Sequence, residues 1–184
     1  MKKTLSNPTV AMILAVLAVI GTMLLSTRLD FGKKCSRLND TLYVRTDGEA
    51  PIAGSLRGFC SAVEQLVLLG QRYDVDDSED AYNQAEEVLD LLRKESHDAE
   101  EIFEKYSDLL SDTFALESSL TRCEMSEADS SLYAAAQHAA AEAKAAIDSS
   151  TYNSDVQRFL KKYGHFPTST LASLTGVEMP EMFA

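Results

Sequence analysis

From residue 50 onward, apolar residues recur at helical spacing along most of the chain. Ile52, Leu56, Phe59, Val63, Leu66, Gly70 and Tyr73 follow one another in a 4-3-4-3-4-3 stripe, which predicts one amphipathic helix begun by Pro51. Gly70 in that stripe suits a close approach by a neighbouring helix. Ala85, Val88, Leu92, Ala99, Ile102, Tyr106, Leu109, Phe114, Leu116 and Leu120 extend the same pattern and predict a helix of roughly forty residues. Arg122 to Ser126 makes the return. Leu132, Ala136, Ala140, Ala143, Ile147, Val156, Phe159 and Tyr163 then predict a second long helix, whose Ala-rich stretch allows tight packing. No run alternates as a strand would. The pattern implies an all-α chain, an elongated antiparallel up-and-down bundle of long helices joined by short loops.

The first thirty residues read differently. Val10 to Leu25 is uncharged and apolar, and residues 9–27 would span about 28 Å as a helix, close to the thickness of a bilayer core. Lys2 and Lys3 precede this run; Arg28, Lys33 and Lys34 follow it. The arrangement predicts a transmembrane anchor. A cleaved signal peptide is the rival reading, but Leu24 and Leu25 precede Ser26-Thr27-Arg28 where a small-x-small site is needed, and Cys35 is not in a lipoprotein box. Phe31, Cys35, Leu38 and Leu42 keep helical spacing beyond the span, so the helix is expected to run on past the basic collar, with Gly32 as its weak point. More basic residues follow the span than precede it, which points the body of the protein toward the cytoplasm.

Charge sharpens this layout. Six of the 17 basic and two of the 29 acidic residues fall in the first forty, leaving 11 basic against 27 acidic residues in the remainder. A body so acidic repels nucleic acid, whereas the collar at Lys33, Lys34 and Arg37 is drawn to anionic headgroups. Cys35, Cys60 and Cys123 are too scattered for a disulfide framework or a zinc site and read as small apolar residues.

Candidate chemistry is sparse. His97 with Glu101 and His138 with Glu142 have i,i+4 spacing, but each pair supplies only two ligands. Asp74 to Asp80 resembles a calcium loop only superficially, since Glu79 and Ala85 occupy its glycine and bidentate-acid positions; the acids read as the cap of the next helix. No nucleophile motif or phosphate-cradling glycine loop is present. The residues therefore imply no enzyme, no cofactor, no metal site and no small-molecule substrate.

The C-terminal fifth holds the most specific pattern. Tyr152-Asn153-x-x-Val156-x-x-Phe159 lies on a helix that Phe166-Pro167 would end, and Leu171, Leu174, Met179 and Phe183 form an apolar tail expected to fold back near the Ala-rich helix. Together with Ala172 and Gly176, this ending resembles that of the LemA family of bacterial membrane-anchored helical proteins. Leu160 and Val177 depart from the family pattern, and the family's Arg-Tyr-Asp-Leu-Ile-Pro-Asn stretch in the helix after the anchor is missing, echoed only weakly by Gln71-Arg72-Tyr73-Asp74. The resemblance implies a single-pass protein of the bacterial membrane, without established enzymatic activity, that serves as scaffold or adaptor for membrane or peripheral proteins. The expected organisation is a tail (1–8), a membrane helix (9–27), a basic juxtamembrane helix (28–46), an acidic bundle (47–165) and a C-terminal hook packed on it (166–184). The alternative is a processed, secreted or surface bundle acting as ligand or antigen.

Overall fold

The computed structural model describes residues 8–44, 51–96, 98–165, 168–177 and 179–183. Most of the turn expected before Pro51, together with His97, Phe166 and Pro167, lies outside them. Among the described residues all regular structure is helical: α1 Pro8–Asp40, α2 Ile52–Arg72, α3 Asp77–Arg93, α4 Ala99–Leu120, α5 Glu127–Asp148, α6 Tyr152–Tyr163 and α7 Thr168–Thr175. The chain forms two compact units, Met1–Leu38 with Gln157–Pro180, and Asn39–Val156 with Glu181–Ala184.

The larger unit is built around α2. This helix packs against α3, α4 and α5, and α3 packs on α4. Its stripe from Ile52 to Gly70 is buried throughout, because a 4-3 repeat keeps one face inward. α2 is long and apolar enough to cross a membrane by length and composition, but most of that apolar surface is covered by its neighbours. A Cβ added at Gly70 would lie 2.9 Å from both Leu116 Cδ1 and Ser78 Cβ, so the absent side chain sets how closely α3 and α4 approach. On the other side, Ala136 and Ala140 of α5 are buried, and the Ala143 Cβ comes within 3.9 Å of where a Gly58 Cβ would stand. Phe59 and Tyr106 meet edge to face at 5.4 Å between centroids.

The forty-residue helix expected over 85–120 is two helices. Glu95 takes a left-handed conformation (φ 50°), and the Ser96 N–H reaches back to the Leu91 carbonyl at 3.1 Å, the main-chain closure of a Schellman ending. Asp98 then caps α4 by accepting from the Glu101 N–H at 2.8 Å. α2 ends the same way: Asp74 has φ 58° and the Val75 N–H donates to the Gly70 carbonyl at 2.9 Å. The helix expected over 132–163 also divides, at Ser149-Ser150-Thr151, where three hydroxyl residues compete for backbone partners. In α3 the acids Asp77, Glu79 and Asp80 occupy the first turn, yet Asp76 makes no side-chain capping bond. The first-turn acids thus favour the helix start through the dipole, and Asp77 also accepts from the Ser119 hydroxyl of α4 at 2.6 Å.

Two residues assigned to apolar faces in this unit lie outside. Phe114 is 72% exposed: the inward row of α4 is Leu109, Thr113, Leu116 and Leu120, and Phe114 stands about 100° from Thr113. Leu132 is exposed because Asp129, Ala136, Ala140 and Ile147 set the inward row of α5 and leave it about 60° to one side.

The smaller unit centres on Phe31 and Cys35 of α1, both buried, with Ala172 of α7. The Phe31 ring lies 5.5 Å from Phe159 and 5.6 Å from Tyr163, and Val177 and Met179 cover the cluster. Lys34 Nζ stands 5.2 Å from the Tyr163 ring centroid. α1 continues through Gly32 and stops at Asp40, where Thr41 to Val44 form a turn, so the helix expected over 28–46 ends earlier than 46. Leu174, expected to dock, is 73% exposed.

Candidate functional site

Four of the singled-out C-terminal residues meet in the larger unit. Tyr152 and Val156 of α6 are buried, and the Tyr152 hydroxyl donates to the Glu181 carbonyl at 3.0 Å. Asn153 holds Phe183 at two points: its Nδ2 donates to the Phe183 carbonyl at 2.5 Å, and its Oδ1 accepts the Phe183 N–H at 2.7 Å. The Phe183 ring then sits edge to face on Phe103 at 5.2 Å and tilted on Tyr106 at 6.0 Å. A cavity of about 190 Å³ adjoins this socket, bordered by Ile52, Ile147, Asp148 and Ser150. The Tyr106 hydroxyl is buried with no hydrogen-bond partner among the described residues, and burial drives its pKa up. In the smaller unit Phe159 and Ala172 belong to the Phe31 cluster, and Gly176 adopts φ +65° at the end of α7, where the Val177 N–H closes on the Ala172 carbonyl at 3.0 Å. The terminal segment, expected as a single hook, therefore divides between the two units.

A second concave surface lies where α4 and α5 flank α2. Phe59 forms the floor of an open groove of about 480 Å³, with Leu110, Phe114, Ala140 and Ala141 beside it and Glu117 and Lys144 at its rim. Short alanine side chains on α5 leave this trough unfilled, and Phe114 projects from its edge. Burial raises the Glu117 carboxyl pKa, partly offset by a hydrogen bond from Gln137.

The α2–α5 contact carries a polar node that sequence reasoning missed. Asp129, buried at a stripe position, forms an ion pair with Arg72 and accepts from the Tyr73 hydroxyl at 2.7 Å and the Ser126 hydroxyl at 2.9 Å. The Ser126 Oγ in turn accepts the Asp129 N–H, and the Tyr73 hydroxyl accepts the Ser126 N–H, both at 3.1 Å. Hydrogen bonds from Tyr73 and Ser126, with the Arg72 charge, hold the Asp129 carboxyl below its ordinary pKa. The sequence placed the return at Arg122 to Ser126, but nothing in it foretold that the end of α2 would lie opposite Asp129.

His138 Nδ1 lies 3.5 Å from Glu142 Oε2 on an exposed face, and among the described residues no three His, Cys, Asp or Glu side chains gather as a metal site. Cys60 is fully buried and its thiol pKa is pushed up to about 12, chiefly by burial; Cys35 is buried as well, and Cys123 is half-exposed. The larger unit thus presents one cavity of mixed polar and apolar lining, one mainly apolar groove and one ionic node. No known protein family, characterised protein or solved structure matches the chain.

Proposed function

We propose that this chain is a LemA-like, single-pass membrane protein whose helical body serves as a non-enzymatic adaptor for other membrane or peripheral proteins. The observation that carries the reading is the contrast between its two apolar helices. α2 hides its apolar residues inside the bundle. α1 does not: Met12, Leu14, Val16, Leu17, Val19 and Leu25 are all at least half exposed. A row of bare aliphatic side chains on one helix suits hydrocarbon as solvent, since every backbone group there is already paired within the helix. The collar that follows and the acid excess beyond residue 40 fit a body held away from an anionic surface. The Phe59 groove and the projecting Phe114 offer a partner an apolar foothold, which supports the adaptor role.

Alkaline carbonate washing of membranes from expressing cells tests the anchor. The full chain should stay in the pellet with its Met1 or Lys2 terminus intact by mass spectrometry. A soluble chain beginning near Ser26 would instead establish the secreted alternative. Protease protection of sealed vesicles then assigns the side on which the body lies, expected to be cytoplasmic.

A further inference from the structure

We infer that the exposed face of α1 just after the apolar run is a binding site for an anionic phospholipid headgroup, a deepening that rests on the membrane reading above. Arg28, Leu29, Gly32, Lys33, Ser36 and Arg37 line an open groove of about 440 Å³. At about 100° per residue, Gly32, Ser36 and Leu29 fall on adjoining strips of the helix and form the floor. Arg28 stands on one side of that floor, and Lys33 and Arg37 on the other. The two small residues make the depression and the three cations wall it.

The chain has 29 acidic and 17 basic residues, and Arg72, Arg93, Lys94, Lys105 and Lys144 each pair with a carboxylate. Arg28, Lys33 and Arg37 are exposed, and among the described residues no carboxylate forms a salt bridge with them. Other described cations, Arg122 and Lys161 among them, also form no salt bridge, but Arg28, Lys33 and Arg37 stand together around one trough, where an anion from outside is attracted by all three at once. The floor decides which kind. Leu29 is 56% exposed within the groove and two residues from the end of the span, so the ligand has an acyl portion as well as a phosphate. Arg28 adjoins the span directly, and Arg37 lies about 13 Å farther along the axis, a reach that covers the headgroup layer. Ser36 adds a hydroxyl donor to a phosphate held between the cations.

The test uses the full chain in detergent micelles doped with either phosphatidylglycerol or phosphatidylcholine, with retained lipid counted by native mass spectrometry. Phosphatidylglycerol should be retained preferentially, and Arg28→Gln, Lys33→Gln and Arg37→Gln should each weaken that preference about fivefold. The triple Gln variant should treat the two lipids alike, while Arg28→Lys with Arg37→Lys should keep the preference. Because all three side chains are exposed, an unchanged circular dichroism spectrum will certify the variants. Equal retention of the two lipids by the native chain, or undiminished selectivity in the triple variant, overturns the assignment. Displacement of phosphatidylglycerol by millimolar inorganic phosphate would assign the site to soluble phosphate and overturn it as a lipid site. Carbonate extraction keeps the two failures apart: a chain that washes off the membrane refutes the anchor, whereas one that stays but shows no lipid preference refutes only the headgroup site.

Discussion

Asn153 and Phe183 are joined by two hydrogen bonds of opposite sense, side-chain amide to backbone carbonyl and backbone N–H to side-chain oxygen. Asn153 thereby treats Phe183 as one strand residue treats another, gripping its main chain regardless of side chain. Selectivity at position 183 must come from the ring, which Phe103 and Tyr106 receive.

Replacing Asn153 should therefore release both main-chain groups of Phe183. Asn153→Ala is expected to destabilise the larger unit by about 1–3 kcal/mol, since the Phe183 N–H and carbonyl lose their partners together. Asn153→Asp keeps the acceptor but turns an anion toward the Phe183 carbonyl. It should be as damaging at neutral pH and partly recover once the carboxyl is protonated. Thermal melts of the full chain in detergent, at neutral and acid pH, read both effects.

Gly70→Ala sets two opposed effects against each other. A helix interior gains about 1 kcal/mol from alanine over glycine. The new Cβ, however, would lie 2.9 Å from Ser78 Cβ and Leu116 Cδ1. Leu116 can rotate its methyl aside, but Ser78 Cβ moves only with its backbone, and overpacking of this kind costs about 1–3 kcal/mol. The net should be a loss of up to about 2 kcal/mol. An unchanged or raised melting temperature would mean that α3 shifts freely against α2.

Glu95→Gly should stabilise. The left-handed conformation of Glu95 carries a steric cost of about 1 kcal/mol that glycine lacks, and only part of the gain returns as unfolded-chain entropy. A rise of roughly 0.5 kcal/mol, or a few degrees in melting temperature, is expected.

Asp129 and Glu117 should shape the acid limb of stability in opposite directions. The folded Asp129 carboxyl titrates below its ordinary range, so its contribution is complete above that range and is lost as pH falls through the folded value. Glu117 titrates above its ordinary value, so its contribution is present at lower pH and disappears as pH rises through the folded value. Asp129→Asn should cost far more at neutral pH than near pH 3. Glu117→Gln should raise stability at neutral pH relative to acid. Melting temperatures across that interval decide both.

Helix type was legible because the 4-3 repeat survives in α2 and α4; the breaks were not, because Leu92 and Ala99 are seven apart and keep heptad phase straight across the break between α3 and α4. Asp98-x-x-Glu101 carried a start signal in the midst of that apparent continuity. Phe114 was misplaced for a related reason: Thr113 takes the inward position, and a threonine there looks like an interruption rather than part of the row. Its hydroxyl is satisfied by the Leu109 carbonyl at 2.6 Å, which makes its burial tolerable. The site residues were legible as a motif but not as a clasp. Nothing in the spacing of Asn153 and Phe183 reveals that an amide will meet a backbone thirty residues on. The Asp129 node was hidden likewise, since it depends on which helix ends face one another.

The central place of α2 also bears on how the chain is made. Its main partner, α5, ends at Asp148, 76 residues after Arg72. At a synthesis rate of about 5–20 residues per second, α2 waits roughly 4–15 s after leaving the ribosome before its last neighbour follows. Until α3 and α4 follow, it is an uncovered apolar segment of membrane-spanning length. The early arrival of α3 and α4, which pack against α2 before α5 is made, shortens the time for which that apolar stripe stands uncovered in a newly made chain.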